Sequence, residues 1–357
     1  MSKAVLAAIS SSIIICSSLI AATTSPLASA ATRPAVVDPS GIGIQAGGPE
    51  VVSNISLYDK ARKSRDWTST PDGMEYISCV HQIPSGAKLD SINDTITLAS
   101  GVVQKIRDCR YPRLVTPGAT APSAPLRPAA SPSAALRSTS PSTGPNPNWL
   151  AAVWDNPGTW ISYLSTTYAV PFAPTENGFT DYIFSSLENG SKNTILQPVV
   201  GYGATNASGR PPTTSIGGNY LWMAPYYVWG NNVAVGSLYR VSALDTISGL
   251  VTSGGCNSTG GGCTWTVSVE DDNTGQVSEV TVGSDPSFLY AQGGVLESGT
   301  SNCSQLFANG HGVFRHIALQ DGNGNGITPN WFIGNLKNEC NMHVTYSNTS
   351  VDILYTA

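Results

Sequence analysis

From residue 146 to its end the chain repeats one pattern: short runs of alternating apolar and polar residues, cut by Gly, Asn and Pro. Alternation with period two buries one face of a strand, whereas a helix needs an apolar stripe at a period of 3.6. No segment here has the helical period. One hairpin is plain. Thr264–Val269 and Val277–Val282 both alternate, and Asp271-Asp272-Asn273-Thr274-Gly275 turns between them. Similar runs cover 161–170, 182–187, 194–202, 220–229, 234–242, 313–319 and 343–346. About ten short strands in one stretch predict an all-β fold, two antiparallel sheets packed as a sandwich.

Composition narrows what such a fold can do. Charged residues make up 11% of the 357, against roughly 25% in an ordinary soluble domain. The net charge is -5. A nucleic-acid binder needs a basic face, so that class is excluded. The charge is also uneven. Residues 31–145 carry 12 Lys/Arg against 9 Asp/Glu, and residues 146–357 carry 5 against 14. A basic segment ahead of an acidic domain reads as a pro-segment held partly by charge, or as a small independent domain.

Residues 1–30 read as a secretory signal: Lys3, an apolar run interrupted by serines, then Ala28-Ser29-Ala30 as a cleavage site. The expectation is a secreted, extracellular protein with no membrane segment after cleavage. Cys16 leaves with the signal. Cys79, Cys109, Cys256, Cys263, Cys303 and Cys340 remain, an even set that fits disulfides in an oxidising compartment. Pairing of neighbours is the simplest of the 15 arrangements six cysteines allow. Residues 116–146 are almost all Pro, Ala, Ser and Thr and read as a linker. The expected layout is a signal over 1–30, a small N-terminal domain or pro-segment over 31–115, the linker over 116–146 and the sandwich over 147–357.

Most catalytic kits are missing from the sequence. It has no G-x-S-x-G elbow, no H-E-x-x-H, no phosphate-binding Gly loop, and no D-T-G or D-S-G of a paired-aspartate peptidase. His311 and His316 stand five apart without ligands at metal spacing and read as ordinary loop or strand residues. Asp321–Gly326 begins like a calcium loop, but its twelfth position is Phe332 rather than Glu. No metal or cofactor is expected. Two carboxylates border apolar stretches: Glu188 after Ser185-Ser186-Leu187, and Glu297 after Gly294-Val295-Leu296. A carboxyl at the edge of an apolar face has a raised pKa and can give and take a proton. From position alone, a strand-end Glu facing water is the favoured reading.

Several segments, in order, resemble the glutamic peptidases (eqolisins). Asn148-Trp149-Leu150-Ala151-Ala152-Val153, followed by 161–170 and Pro171, is similar to that family's opening strands. Phe184-Ser185-Ser186-Leu187-Glu188-Asn189-Gly190 and then Thr194-Ile195-Leu196-Gln197 resemble its W-V-G-I-D-G segment and its A-I-L-Q strand. Tyr220-Leu221-Trp222-Met223-Ala224-Pro225-Tyr226-Tyr227-Val228-Trp229 is similar to its aromatic strand. Residues 291–297 and 305–314 resemble the segment that carries its glutamate. The likeness spans about 200 residues. The chain departs from the family at Phe184, where the family has Trp, at Ser185 and Ser186, where it has glycines, and at Tyr168, another family Trp.

The resemblance implies a concanavalin A-like, eqolisin-like sandwich, with Gln197 and Glu297 on the catalytic positions and Glu188 on an acidic position near them. It implies a polypeptide substrate cleaved in acid, with Glu297 activating water. Phe184, Glu188, Tyr220, Trp222 and Tyr226 are candidates to line the substrate groove; the aromatic ones are equally candidates for ordinary sheet packing. A monomer is expected. The alternatives are a lectin-like carbohydrate-binding sandwich and a catalytically inactive secreted interaction protein. A glycosidase fits less well: it needs two carboxylates suitably spaced, and Glu270-Asp271-Asp272 are consecutive and read as a turn.

Overall fold

The structure is a computed structural model. It describes residues 51–107, 109–115, 149–207, 214–284, 286–299, 302–337 and 339–357. The stretches read above as a signal (1–30) and a linker (116–146), together with Asn148, lie outside them.

The N-terminal region contributes β1 (Val51–Ser53), helix α1 (Ile55–Lys63), β2 (Trp67–Thr70), β3 (Gly73–Tyr76), β4 (Val80–Gln82), β5 (Lys88–Asp90), β6 (Thr95–Thr97), β7 (Val103–Lys105) and β8 (Arg113–Val115). After the linker come β9 (Trp149–Asp155), β10 (Ile161–Ala169), β11 (Asp181–Asn189), β12 (Thr194–Ala207), β13 (Thr214–Trp229), β14 (Asn232–Val235), β15 (Tyr239–Arg240) and β16 (Thr246–Gly254). The rest are β17 (Cys263–Asp271), β18 (Gln276–Ser284), β19 (Phe288–Ser298), β20 (His311–Asp321), β21 (Gly326–Ile327), β22 (Phe332–Leu336), β23 (His343–Ser347) and β24 (Ser350–Leu354).

Two large sheets form the sandwich. The front sheet runs β22-β9-β19-β11-β12-β13-β14-β4, and the back sheet runs β23-β24-β20-β10-β16-β17-β18-β5-β6-β7. The core between them takes Leu164 and Tyr168 from β10, Leu196 and Val200 from β12, and Val267 and Val269 from β17. The all-β sandwich expected from the alternation is therefore present. Its sheets are mixed, because the N-terminal region joins them in parallel: β4 beside β14 and β5 beside β18. Cysteines pair with their neighbours, Cys79–Cys109, Cys256–Cys263 and Cys303–Cys340.

Back-sheet strands follow the expected alternation; β17 and β18 form the hairpin read from the sequence. The run 234–242 does not stay one strand. It breaks into β14 and β15, which pair with different parts of β13. The turn 321–326 joins β20 to β21, and the Asp321 carboxylate accepts the Asn323 and Asn325 backbone N–H groups. That is the work of a turn residue. His311 and His316 lie on β20.

In β12 a proline sits mid-sheet, where a missing N–H normally excludes it. Pro198 faces Pro225 of β13 in the register, so neither can donate to the other. Both carbonyls find other donors: the Tyr168 hydroxyl donates to Pro198 O at 2.7 Å, and Gly236 N donates to Pro225 O at 3.0 Å. Tyr168 thus ties β12 to the back sheet one residue from Gln197. Tyr168→Phe is expected to leave that buried carbonyl unpaired and to cost about 1–3 kcal/mol. Urea unfolding of the full chain measures it; an unchanged midpoint and slope would show that the bond contributes nothing net.

Candidate functional site: a covered face of the front sheet

The front sheet is buried on both faces over its centre. Every residue of β11 is buried. Even-numbered positions Tyr182 and Phe184 belong to a second apolar cluster, with Trp149, Ile195, Val199, Trp222, Ala224, Tyr226, Val228 and Val295, on the face turned from the back sheet. A one-sided sandwich strand would leave that face in water. Here the N-terminal region covers it. The hairpin β2–β3 contacts β12, and Val80 of β4 joins the cluster.

Gln197 projects into this covered face from β12 and is fully buried. Its Nε2 donates to the carbonyl of Pro71, at the tip of the β2–β3 hairpin, at 3.2 Å. Its Oε1 is buried with no hydrogen-bond partner among the described residues. Tyr226 of β13 stands directly opposite it in the register. Rings pave the floor around the pair: Trp222 lies 5.9 Å from Tyr182 and 6.3 Å from Tyr226, and Trp149 lies 5.8 Å from Phe184.

Glu297 comes from β19 and is 3% exposed. Burial drives its carboxyl well above the ordinary carboxylate range, and the Asp72 charge adds to that. The Trp149 indole and the Arg113 and Lys337 cations act in the opposite direction. Glu188, at the end of β11, is pushed up to about 7, mainly by burial and also by Asp72, with Lys192 opposing. It accepts a hydrogen bond from Gln292 Nε2 at 3.1 Å, and Gln292 Oε1 accepts one from Ser186 Oγ at 2.7 Å. Asp181 is also pushed up, to about 8, by burial, against a hydrogen bond from Ser298.

Gln197 and Glu297 share the face but are not neighbours in the sheet. β11 lies between their strands. Glu297 pairs with Tyr182, whereas the pairs Phe184–Val199 and Leu187–Leu196 set Gln197 level with Ser186. Glu188 is the carboxyl diagonal to Gln197, a relation that spans roughly 7–8 Å in an antiparallel pair. The Pro71–Asp72 tip occupies the space among the three: Pro71 is bonded to Gln197, and Asp72 raises the pKa of both Glu188 and Glu297. Phe184, Trp222 and Tyr226 also line the covered face. Tyr220 lies past an irregularity in the β12–β13 register, half-buried at the edge of the cluster, with the Arg240 guanidinium 3.8 Å above its ring.

Sequence reasoning missed the N-terminal contribution. Arg113 of β8 is ion-paired with Asp72 and, at 2.5 Å, with Glu75, and it donates to Gly230 O at 2.7 Å. These ion pairs lie within the N-terminal region; its attachment to the sandwich runs through strand pairing and hydrogen bonds. The one legible signal was Pro71-Asp72-Gly73, a turn between two strand-like runs. Nothing local says that the turn reaches residue 197. Among the described residues no three His, Cys, Asp or Glu side chains gather as a metal site, and no helix is long and apolar enough to cross a membrane.

The fold and site define an all-β sandwich whose front face buries an amide, two glutamates and a peptide turn together. Solved structures similar to the chain include three that each match 58% of it over 98% of their own length. Two are scytalido-glutamic peptidase, with a peptide-based transition state analog (14% identity, TM-score 0.40) and with a transition state analog inhibitor (14% identity, TM-score 0.43). The third is SCP-B, a member of the eqolisin family of peptidases, in complex with the tripeptide Ala-Ile-His (16% identity, TM-score 0.40). No protein-family profile and no curated protein matches the chain.

Proposed function

We propose that the chain is a secreted endopeptidase that cleaves polypeptides in acid at this covered face, with Gln197 and Glu297 as its catalytic residues. The observation that carries this reading is the hydrogen bond from Gln197 Nε2 to the Pro71 carbonyl. The covered face already holds a peptide carbonyl on an amide donor, with buried carboxyls close by.

Amide hydrolysis needs a base for water, a donor for the developing oxyanion and an acid for the leaving nitrogen. Once water enters the face and relieves the burial that raises its carboxyl, Glu297 in its ionised form takes a proton from water as the water attacks the carbonyl carbon. Gln197 Nε2 donates to the oxygen as it gains negative charge. Protonated Glu297 then gives its proton to the departing amine and is ionised again. Gln197 Oε1 and Glu297 Oε2, buried and without partners among the described residues, are acceptors for the water and for substrate N–H groups. Phe184, Trp222 and Tyr226 supply an apolar floor for substrate side chains, and Glu188 borders it.

The test is digestion of a denatured protein from pH 2 to 7 with the full secreted chain, with and without pepstatin, reading new termini by mass spectrometry. Pepstatin-resistant cleavage confined to acid is expected. No new termini at any pH would reject the reading and turn attention to the lectin-like and inactive alternatives.

A further inference from the structure

We propose that a cavity at one end of the back sheet, lined by Trp160, Ser162, Ser253, Asn257, Ser258 and Asn323, binds a neutral saccharide. The proposal is independent of the peptidase reading. Glu188, Gln197 and Glu297 stand on β11, β12 and β19 of the front sheet, and none of those strands lines this cavity.

The cavity lies where β10 begins and where β16 and β20 end. It holds about 400 Å³, within the roughly 300–1,000 Å³ of small-molecule sites. Two braced loops wall it. The loop over 254–262 is closed by Cys256–Cys263. In the turn over 321–326, the Asp321 carboxylate accepts the Asn323 and Asn325 backbone N–H groups and the Asn325 side-chain amide. Both loops press on Trp160: a Cβ on Gly260 or on Gly322 would overlap its indole. Backbone therefore fixes the ring, and the wall is formed before any ligand arrives.

No lining residue is ionisable. A charged ligand would give up hydration there and find no opposite charge in return. The lining is also not the mainly apolar kind that suits most small ligands. Trp160 is its one aromatic side chain, and the rest is hydroxyl, amide, glycine and half-cystine.

What this lining offers is donors and acceptors close together. Asn257 Oδ1 is used up inside its own loop, accepting from Thr259 N, Thr259 Oγ1 and Gly261 N at 2.8–3.0 Å. Its Nδ2 is what the side chain has left to give. Ser162 Oγ donates to the Asp321 carbonyl at 2.5 Å, so its oxygen is left as an acceptor. The Ser253 and Ser258 hydroxyls, the Asn323 side-chain amide and the Trp160 N–H make no hydrogen bond among the described residues. A saccharide complements such a set. Each of its closely spaced hydroxyls gives one proton and accepts another, and its C–H edges suit the half-buried indole.

Asn257-Ser258-Thr259 is also an acceptor sequence for N-linked glycan. The full secreted chain is therefore made in a bacterial periplasm, which leaves Asn257 bare and lets the disulfides form. It is titrated by calorimetry near pH 7 with cellopentaose, mannopentaose, xylopentaose and maltopentaose, beside pentagalacturonic acid as the anionic control. At least one neutral sugar is expected to bind with a Kd of about 1 mM or tighter. That Kd should be the same at about 50 and 500 mM NaCl, because no charge is paired. Asn257→Asp keeps the oxygen that holds the loop and removes the NH2 donors. Asn323→Ala acts on the other loop. Each is expected to weaken binding about fivefold or more, with an unchanged thermal midpoint; if one variant unfolds, the other carries the comparison. Binding of none of the four neutral sugars would overturn the proposal. So would binding of the galacturonate alone, or a neutral sugar held equally well by wild type and both variants. Cleavage of protein substrates enters none of these outcomes, so the two readings stand or fall separately.

Discussion

Glu297→Gln is expected to lower the rate of acid cleavage by about three orders of magnitude, within the 10²–10⁴ that a positioned acid–base group contributes. The substitution keeps shape and hydrogen bonding but removes the ability to take a proton from water and return it to the amine. No other carboxyl on the face replaces it simply. Glu188 is already engaged by Gln292, and Asp72 by Arg113. The assay is initial rate against a denatured protein at the wild-type optimum, with folding checked by thermal unfolding. Because burial pushes the native carboxyl well above the ordinary carboxylate range, a neutral Gln of the same shape is expected not to lower stability. Full activity in this variant would remove Glu297 from the mechanism. Loss in Glu188→Gln instead would move the base to the carboxyl diagonal to Gln197.

Gln197→Ala is expected to lower the rate by about 10²–10³, the usual cost of deleting one oxyanion donor. It should act on kcat more than on KM, because the donor matters most when the carbonyl oxygen carries negative charge. The same change takes away the donor to Pro71, so the β2–β3 hairpin should also loosen. Slower turnover with less hydrogen-exchange protection of 67–76 near neutral pH is therefore the expected joint outcome. A raised KM with unchanged kcat would make Gln197 a substrate-binding residue only. Gln197→Glu separates shape from charge: a second carboxylate there would repel the developing oxyanion wherever it is ionised, and the loss should deepen as pH rises.

Much of the sandwich was legible because burial on one face writes alternation into a strand. In β17, Trp265, Val267 and Val269 are buried between less buried Thr266 and Ser268, and the hairpin follows from that and from its Asp-Asn-Gly turn. The same rule fails on β11. Tyr182, Ile183, Phe184 and Leu187 are all buried because both faces are covered, and a strand buried on both faces has no polar phase to read. Pro198 would have argued against a central strand; only the facing Pro225 and the Tyr168 hydroxyl from the other sheet make it tolerable. The neighbour pairing of cysteines was the simplest arrangement, and the fold adopts it.

For the site, the sequence by itself determined residue types: a glutamine on an apolar strand, two glutamates at apolar edges, a ring-rich strand, and a charge split between the two regions. These are local properties of composition and period. The tertiary structure decided which of them meet. It put Gln197 and Glu297 on one face but on strands separated by β11, and set Glu188 diagonal to Gln197. It brought Pro71 onto Gln197 across 126 residues of chain. It placed Asp72, Glu75 and Arg113 together beneath the surface. Contacts at such separation are set by how sheets pair and which surfaces must leave water, and that is a property of the whole packed chain, which no local window of it contains.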